Sequence, residues 1–195
     1  MYHNVFYRNG MSGVACIGVN RSGGDWGEGA DQRLPARNNV IWGNIFVDNC
    51  HPDFCPKEPD GRGEPWHTRP ELIMPEDWEG NTGNVADYNI YHRSPGRPLP
   101  FWKGWHVTLY EDLADWQKRT GWDQHSIIAE PRFADVARFD FRPVAGSPAI
   151  GFVPPRMGAA YDATGKLRPT KEPPDKQPLR WTAGPFEPTP VSAGR

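Results

Sequence analysis

The sequence predicts an all-β protein: a right-handed parallel β-helix of about three coils, with one short helix and a proline-rich C-terminal strap. Three observations predict this fold. The phrase Asn-aliphatic-aromatic recurs at Asn4, Asn44 and Asn89, spaced by 40 and 45 residues. An Asn-Val pair precedes the last two copies by five residues, at Asn39 and Asn84. The strand-like runs are short, and such strands bury a common interior only when neighbouring coils stack.

An asparagine before a β-branched and an aromatic residue has a physical reason to recur. Asparagine tolerates the left-handed backbone conformation that a tight bend requires, and stacked asparagine amides hydrogen-bond along a row. The alternative is three unrelated turn asparagines that precede strands. The shared spacing favours the repeat.

Each predicted coil contains three short strands, with the asparagine turn between the second and the third. Long loops are predicted at the other two corners. The predicted strands are 14–17, 39–42 and 45–47 in one coil, and 71–74, 84–86 and 89–91 in the next.

A helix near 109–120 interrupts the coils. Thr108 and Glu111 match a capping box, in which each side chain satisfies a backbone donor of the other residue. Leu109, Leu113 and Trp116 then fall on one helical face. We therefore assign residues 1–163 to the coils with this helix, and 164–195 to an extended strap that closes the last open sheet edge.

Composition excludes several classes of function. The net charge is −2 with both signs mixed along the chain, which does not favour nucleic-acid binding. No apolar stretch approaches the ~20 residues of a membrane span, and no signal peptide is evident. The chain enters a strand-like phrase almost at once, so we expect it to be the C-terminal part of a longer protein. We expect a monomer.

The three cysteines do not define a cofactor site. Cys50 and Cys55 are close enough in sequence to bridge a loop, while Cys16 makes the count odd. A metal cluster of Cys50, His51 and Cys55 lacks a fourth ligand. We predict no cofactor and no metal, and Ca²⁺ is not indicated.

Several phrases carry a resemblance to a known group of proteins. They are Asn44-Ile45-Phe46-Val47-Asp48-Asn49, Asp87-Tyr88-Asn89-Ile90-Tyr91, Trp116-Gln117 with Thr120-Gly121-Trp122-Asp123, His125-Ser126-Ile127, Pro131-Arg132-Phe133, Asp140-Phe141-Arg142 and Ser147-Pro148-Ala149-Ile150. With the asparagine turns, the chain resembles the C-terminal part of the pectate-lyase-like, right-handed β-helix superfamily, and specifically of secreted bacterial proteins that act on polysaccharides. Pro185 departs from the usual closing motif of that tail.

The resemblance implies an extracellular or periplasmic protein that binds a polysaccharide or oligosaccharide along its first sheet. The loop from Asn49 to Arg69 and the loops after Val19 and Met74 would then form the walls of the groove. One β-helix fold hosts lyases, hydrolases and non-catalytic proteins, so the resemblance leaves the activity open.

Two chemistries fit the side chains of these loops. A lyase needs a base to remove the proton at C5 and a cation to stabilise the carboxylate. His51 or His67 would be that base, and Arg62 or Arg69 the cation.

A glycoside hydrolase instead needs two carboxylates on either side of the bond, for which Asp25, Glu28 and Asp53 are the candidates. Trp26, Trp66 and Trp78 would be flat platforms for sugar rings.

The opposing hypothesis is a non-catalytic scaffold, or a carbohydrate-binding or capping segment at the cell surface. Charged residues in loops rich in glycine and proline are commonly solvated, and loop tryptophans commonly pack the loop onto its coil. We interpret Asp48 and Asp87 as turn residues. Asp123 and His125 are interpreted as structural.

Overall fold

A computed structural model describes residues 1–10, 12–16, 19–21, 32–49, 70–75, 80–103, 108–110, 112–156, 159–171 and 177–188. That part of the chain contains fourteen short strands and one α-helix. The strands are β1 (Val5–Tyr7), β2 (Val14–Ala15), β3 (Val19–Arg21), β4 (Gln32–Leu34), β5 (Val40–Trp42), β6 (Ile45–Val47), β7 (Leu72–Met74), β8 (Val85–Asp87), β9 (Ile90–His92), β10 (Phe101–Lys103), β11 (Thr108–Tyr110), β12 (Ile127–Ile128), β13 (Phe133–Asp135) and β14 (Asp140–Pro143). The helix, α1, spans Leu113–Thr120.

The strands form five separate sheets. One is four-stranded and entirely parallel, in the order β1-β6-β9-β12. A second has the order β11-β10-β7-β2, in which β10 and β11 are antiparallel. The other three are pairs: β5 with β8 in parallel, and β3 with β4 and β13 with β14 antiparallel.

The predicted right-handed parallel β-helix is wrong. Parallel pairing is common, but the sheets are separate and do not join into one continuous solenoid. Antiparallel pairs and a helix interrupt the parallel strands, and β2 and β12 are only two residues long. The architecture is a mixed, mostly stranded arrangement of small sheets with one helix. The repeated phrases determine which strands pair with each other. The segments between the phrases determine whether those strand pairs join into one coil.

The four-stranded parallel sheet lies between two apolar clusters. Phe6, Phe46 and Tyr91 project from one face and stack on one another, with ring centroids 5.0 Å apart at each step. They belong to the larger cluster, together with Trp116 of α1. Ile45 and Ile90 project from the opposite face into the second cluster. Since alternate residues serve alternate faces, the three-residue strands are buried on both sides.

A left-handed corner precedes each asparagine of the repeated phrase. The backbone φ is 52° at His3, 66° at Gly43 and 54° at Tyr88. The left-handed residue is therefore the one before the asparagine rather than the asparagine itself. The same rule holds at two other corners, at Arg8 and Asp48 before Asn9 and Asn49, and at Asn38 and Gly83 before Asn39 and Asn84.

The asparagines at these corners hydrogen-bond to one another across the sheet. The backbone and side-chain nitrogens of Asn4 donate to Asn44 Oδ1 at 2.9 and 3.1 Å. Those of Asn44 donate to Asn89 Oδ1 at 3.0 and 3.2 Å. Asn39 makes the same pair of bonds to Asn84. We call Asn4, Asn44 and Asn89 the amide row. It satisfies backbone donors at corners where sheet hydrogen bonding is interrupted.

The helix begins later than the sequence predicted. Thr108–Tyr110 is strand β11, and the helix cap is Asp112, whose side chain accepts from the backbone N–H of Asp115 at 2.8 Å. The predicted end is observed, with Gly121 in the left-handed conformation. The capping-box pattern was wrong because residues 108–110 pair with β10 instead.

Asp123 anchors the helix to the parallel sheet. It is fully buried and accepts hydrogen bonds from Asn89 Nδ2 at 2.9 Å, Trp116 Nε1 at 2.9 Å and Ser126 Oγ at 2.5 Å, and also from the Tyr91 hydroxyl. Burial raises the pKa of Asp123, and these donors oppose that shift. The carboxyl group thus joins the amide row to α1, which is a structural role.

The C-terminal tail packs against the N-terminal corner. Arg168 donates to the carbonyl oxygens of Thr182 at 3.2 Å and Gly184 at 3.0 Å, and pairs with Glu187. His3 Nδ1 donates to the carbonyl oxygen of Thr182 at 2.9 Å. Because a carbonyl only accepts, Nδ1 carries the proton of this imidazole. We call these contacts the His3 clasp.

We expect Asn44→Ala to lower the free energy of unfolding by about 1–3 kcal/mol, because buried backbone and amide donors lose their acceptor. Asn44 is fully buried, whereas Asn4 is exposed at the end of the row. Asn4→Ala is therefore the matched control and is expected to cost less. Urea unfolding of both variants measures the difference; an equal, small loss would show that the row contributes little.

The His3 clasp predicts that stability falls in acid. Burial, and then the Arg168 charge, lower the pKa of His3 to about 4, while the Thr182 carbonyl opposes the shift. Between pH 6.5 and about 4 the unfolded chain binds more protons at His3 than the folded chain. The stabilisation that neutral His3 gives the folded state is therefore complete above pH 6.5 and is lost as the pH falls. The free energy of unfolding lost in this way is on the order of 2–3 kcal/mol.

Urea unfolding at pH 7 and pH 4.5 measures this loss in the parent chain and in His3→Asn, since asparagine tolerates a positive φ. We expect the acid-induced loss to be smaller in His3→Asn. An identical pH dependence in both proteins would assign it to other groups.

Candidate functional site

All ten site residues predicted from the sequence lie outside the part of the chain that the structure describes. They are the catalytic candidates His51, Asp53, His67 and Arg69, and the substrate-binding candidates Asp25, Trp26, Glu28, Arg62, Trp66 and Trp78. Their assignments stay predictions. Cys50 and Cys55 also lie outside it, while Cys16 is a buried free thiol whose pKa is raised by burial.

The two ends of segment 50–69 are held together by a buried polar group. Asn49 donates from its backbone N–H to Glu71 Oε1 at 3.1 Å, and its side-chain amide donates to Oε2. Arg93 Nε donates to Glu71 Oε1 at 2.7 Å, and Arg93 Nη2 donates to the carbonyl oxygen of Asn49 at 3.3 Å. Asn49 and Glu71 have no exposed surface. The two described residues that flank this segment, Asn49 and Glu71, are therefore held at one fixed point.

Two opposing effects act on the pKa of Glu71. Burial raises the pKa of Glu71, and the Arg93 charge and the Asn49 donors oppose it. Every carboxylate oxygen of Glu71 already has a protein donor. We therefore assign Glu71 and Arg93 a structural role rather than a chemical one.

Residues from several parallel strands meet at one edge of the four-stranded sheet. Tyr7, Val47 and His92 are aligned across β1, β6 and β9 and are the last residues of those strands. The backbone N–H of Ala129, just after β12, continues the row by donating to the carbonyl oxygen of Tyr91 at 3.0 Å. In parallel sheets the carboxyl ends of strands are the usual place for ligands.

A cavity of about 160 Å³ lies at this edge. We call it the strand-end cavity; it is lined by Tyr7, Val47, Asp48, His92, Glu130, Pro131, Arg132, Phe133 and Val136. Small-molecule pockets commonly measure about 300–1,000 Å³. The strand-end cavity therefore has room for one group of a ligand rather than for an enclosed molecule.

Asp48 is a fixed part of the cavity wall. Its carboxylate accepts from Ser94 N at 2.8 Å, Ser94 Oγ at 2.6 Å and Arg97 Nη1 at 2.9 Å. Burial raises its pKa, but the Ser94 and Arg97 donors outweigh burial and leave the pKa below its ordinary value. Both carboxylate oxygens of Asp48 are thus already engaged by protein donors.

Three other polar side chains of the cavity remain available to a ligand. His92 is half-buried and Glu130 exposed, and neither side chain has a hydrogen bond or ion pair with another described residue. Arg132 is exposed and donates from Nη1 to the carbonyl oxygen of Gly146 at 3.1 Å, which leaves further N–H groups. The cavity therefore offers an imidazole, a carboxylate and a guanidinium.

Aromatic rings give the same cavity an apolar wall. Tyr7 and Phe133 both line it, and both contact Phe141 of β14 behind it, at centroid distances of 5.4 and 5.2 Å. The hairpin of β13 and β14 is thereby packed onto the end of β1. An apolar wall beside a few polar groups is typical of binding sites.

Another histidine, His125, is exposed and is held in place by neighbouring residues, but it does not line the strand-end cavity. His125 contacts Asp87 through its backbone N–H at 2.7 Å and through Nδ1 at 2.8 Å, and its ring stacks on Tyr88 at 4.6 Å. No group of three potential metal-ligating side chains occurs among the described residues. In the same part of the chain, no helix is long and apolar enough to cross a membrane.

Sequence reasoning missed the strand-end cavity, although a signal was present. Aligning the repeated phrases places Tyr7, Val47 and His92 in one row. The residues that follow, Asp48 and Glu130, were considered only as local features or not at all. The signal was overlooked because the long loops contain more charged side chains than the strand ends do.

The comparisons with known proteins give limited information. No family model matches the chain, and no solved structure matches it. The uncharacterized protein YwoF of Bacillus subtilis (strain 168) is 35% identical over 78 residues, which is 40% of this chain and 16% of that protein. The chain thus matches about a sixth of the length of this curated relative.

These findings also correct the family expectation. The resemblance to the pectate-lyase-like superfamily is not supported, because the sheets form no solenoid and no carbohydrate-active family is shown. The phrases that suggested this resemblance lie at corners and strand ends, where sequence reflects local structure more than common ancestry.

We expect Glu71→Ala to lower the free energy of unfolding by about 3–5 kcal/mol, since Arg93 is left buried without its anion. Asp115→Ala is the control: its pair with Arg119 is exposed, and the loss should stay below about 1 kcal/mol. Chemical denaturation compares the two. Similar losses would mean that the buried pair is not the fixed point described above.

Proposed function

We propose that this chain is a ligand-binding scaffold whose site is the strand-end cavity, and that it binds without catalysing a reaction. The observation that carries the proposal is the set of His92, Glu130 and Arg132 on one cavity. The side chains of His92 and Glu130 have no partner among the described residues, and Arg132 uses one N–H for the Gly146 carbonyl and keeps others. The carboxylate oxygens of Glu71, Asp48 and Asp123 are instead engaged by protein donors.

The chemistry of the cavity favours a polyhydroxylated ligand that carries a carboxylate. Glu130 accepts from hydroxyl groups, His92 donates or accepts, and Arg132 pairs with an anionic group. The rings of Tyr7 and Phe133 suit an apolar C–H face. An acidic oligosaccharide combines these features, and one of its residues would enter the cavity while the rest lies along the sheet edge.

The proposed function also implies a binding partner and a cellular location for the chain. We propose that the chain binds the oligosaccharide as a monomer, outside the cytoplasm, in the extracellular or periplasmic space where polysaccharides occur. The lyase and hydrolase hypotheses of the sequence stay predictions, because His51, Asp53, His67 and Arg69 lie outside the described residues.

The test is calorimetric titration with a uronic-acid trisaccharide and a neutral trisaccharide. Glu130→Gln should weaken binding of both by about 10- to 100-fold, the usual value of a hydrogen bond to a charged group. Arg132→Gln should remove the preference for the acidic sugar. Asp115→Asn is a matched exposed carboxylate on the helix and should bind like the parent.

Two results would contradict the proposal. Unchanged binding in Glu130→Gln would place the site elsewhere. Release of unsaturated products or new reducing ends by the parent chain would show catalysis, and would favour the enzyme hypotheses over a binding scaffold.

A further inference from the structure

Arg132, on the wall of the strand-end cavity, has an uncommon backbone conformation. Its φ is 50°, in the left-handed region that residues with a side chain adopt rarely. At the corners before Asn4, Asn44 and Asn89, the following asparagine hydrogen-bonds across the sheet. Arg132 is followed by Phe133 instead, so the amide row does not account for its conformation. A residue stays in such a conformation only where its surroundings fix it, and such residues cluster at ligand sites.

A turn formed by residues 144–147 fixes this part of the chain. The backbone N–H of Val144 donates to the carbonyl oxygen of Arg132 at 3.0 Å, and Ser147 Oγ donates to the carbonyl oxygen of Pro131. Arg132 Nη1 donates to the carbonyl oxygen of Gly146 at 3.1 Å. The turn therefore holds both the backbone of Arg132 and the end of its side chain.

Glycine suits position 146 of this turn for two reasons. Its φ is 77°, a conformation that glycine adopts without steric cost. A Cβ at this position would also lie only 3.1 Å from Arg132 Nη1. A larger residue would therefore strain the turn and displace the guanidinium that the turn holds.

The contact with Gly146 leaves one edge of the Arg132 guanidinium free. The hydrogen bond uses Nη1, whereas Nε–H and Nη2–H have no partner among the described residues. These two N–H groups are parallel and lie in one plane, which matches the two oxygens of a carboxylate. A guanidinium held on one side thus presents a directed fork on the other.

On the basis of the proposed function of the strand-end cavity, we propose that the turn at 144–147 positions Arg132 to bind the carboxylate of a uronic-acid sugar side-on, through Nε–H and Nη2–H. Arg132 is then the residue that separates acidic from neutral sugars, and Gly146 is a positioning residue that acts through it. Glu130 lines the same cavity and repels an anion, so the sugar carboxylate lies at Arg132 and the hydroxyl groups lie toward Glu130.

The side-on pair is tested by NMR of the arginine Nε–H groups in the full chain. The Arg132 signal is assigned by its loss in Arg132→Lys. It should shift, and exchange more slowly with water, when a uronic-acid trisaccharide is added. The neutral trisaccharide of the same linkage should leave it unchanged. Binding of the acidic sugar without a change in this signal would overturn the side-on pair.

Calorimetric titration with both sugars tests the specificity. Arg132→Lys keeps the positive charge but removes the fork, so the ratio of acidic to neutral affinity should fall about tenfold or more, as for lost hydrogen bonds to a charged group. Gly146→Ala should lower this ratio about three- to tenfold, as for one lost hydrogen bond. A loss of stability alone would not change the ratio.

Gly121→Ala is the matched control for Gly146→Ala. Gly121 also has a left-handed φ, of 74°, but an added Cβ there meets no atom within 4 Å, and the residue ends α1. Its variant should keep the ratio of the parent chain. Thermal unfolding confirms that each variant is folded, and Arg132→Lys tests the fork even where Gly146→Ala does not fold.

An unchanged ratio in Arg132→Lys would show that charge alone selects the acidic sugar. An unchanged ratio in Gly146→Ala would remove the role of the turn. Either result overturns this inference and leaves the proposed function intact, as long as Glu130→Gln weakens binding of both sugars. Binding of both sugars by Glu130→Gln as by the parent would instead place the site elsewhere, and the proposed function would fail together with this inference.

Discussion

Three of the four strands of the parallel sheet, β1, β6 and β9, follow a left-handed corner and an asparagine amide. A three-residue strand ends after one or two sheet hydrogen bonds, so its flanking backbone donors lie inside the fold without a regular partner. The amide row provides that partner, as Asn44 Oδ1 does for Asn4 and Asn89 Oδ1 does for Asn44. Without it, each corner would bury unsatisfied donors at a cost of about 1–3 kcal/mol. That cost is a substantial fraction of the net free energy of unfolding of a typical domain.

Buried carboxyl groups connect the asparagine corners to the rest of the molecule through hydrogen bonds. Asp123 accepts from Asn89 of the row and also from Trp116, so the helix is fixed to the same asparagine that fixes the strands. Glu71 similarly joins Asn49 to Arg93. Such groups are costly to desolvate, and they are retained only with complete hydrogen bonding. They therefore define one arrangement of the sheet, and with it the positions of the strand ends that surround the cavity.

The sequence predicted the local pairing better than the overall fold or the site. The repeated phrases identified Asn4, Asn44 and Asn89, which do hydrogen-bond across neighbouring strands. The continuous β-helix was wrong because the strands form five separate sheets, with antiparallel pairs among the parallel ones. The cavity was missed for a different reason. His92 and Glu130 are 38 residues apart in sequence, and only the register of β9 with β12 brings the ends of their strands together.

The carboxyl ends of the parallel strands and the lateral edge at β1 present different chemical groups. At the carboxyl ends of the strands, side chains converge from several segments, so this edge presents varied chemistry on a rigid base. The lateral edge at β1 presents the same groups at each level, an amide oxygen and an aromatic ring in a fixed register. Under the proposed function, the varied side chains around the cavity of about 160 Å³ would select the shape and charge of a small group. The row that stabilises the sheet therefore also fixes the strand ends that line this cavity.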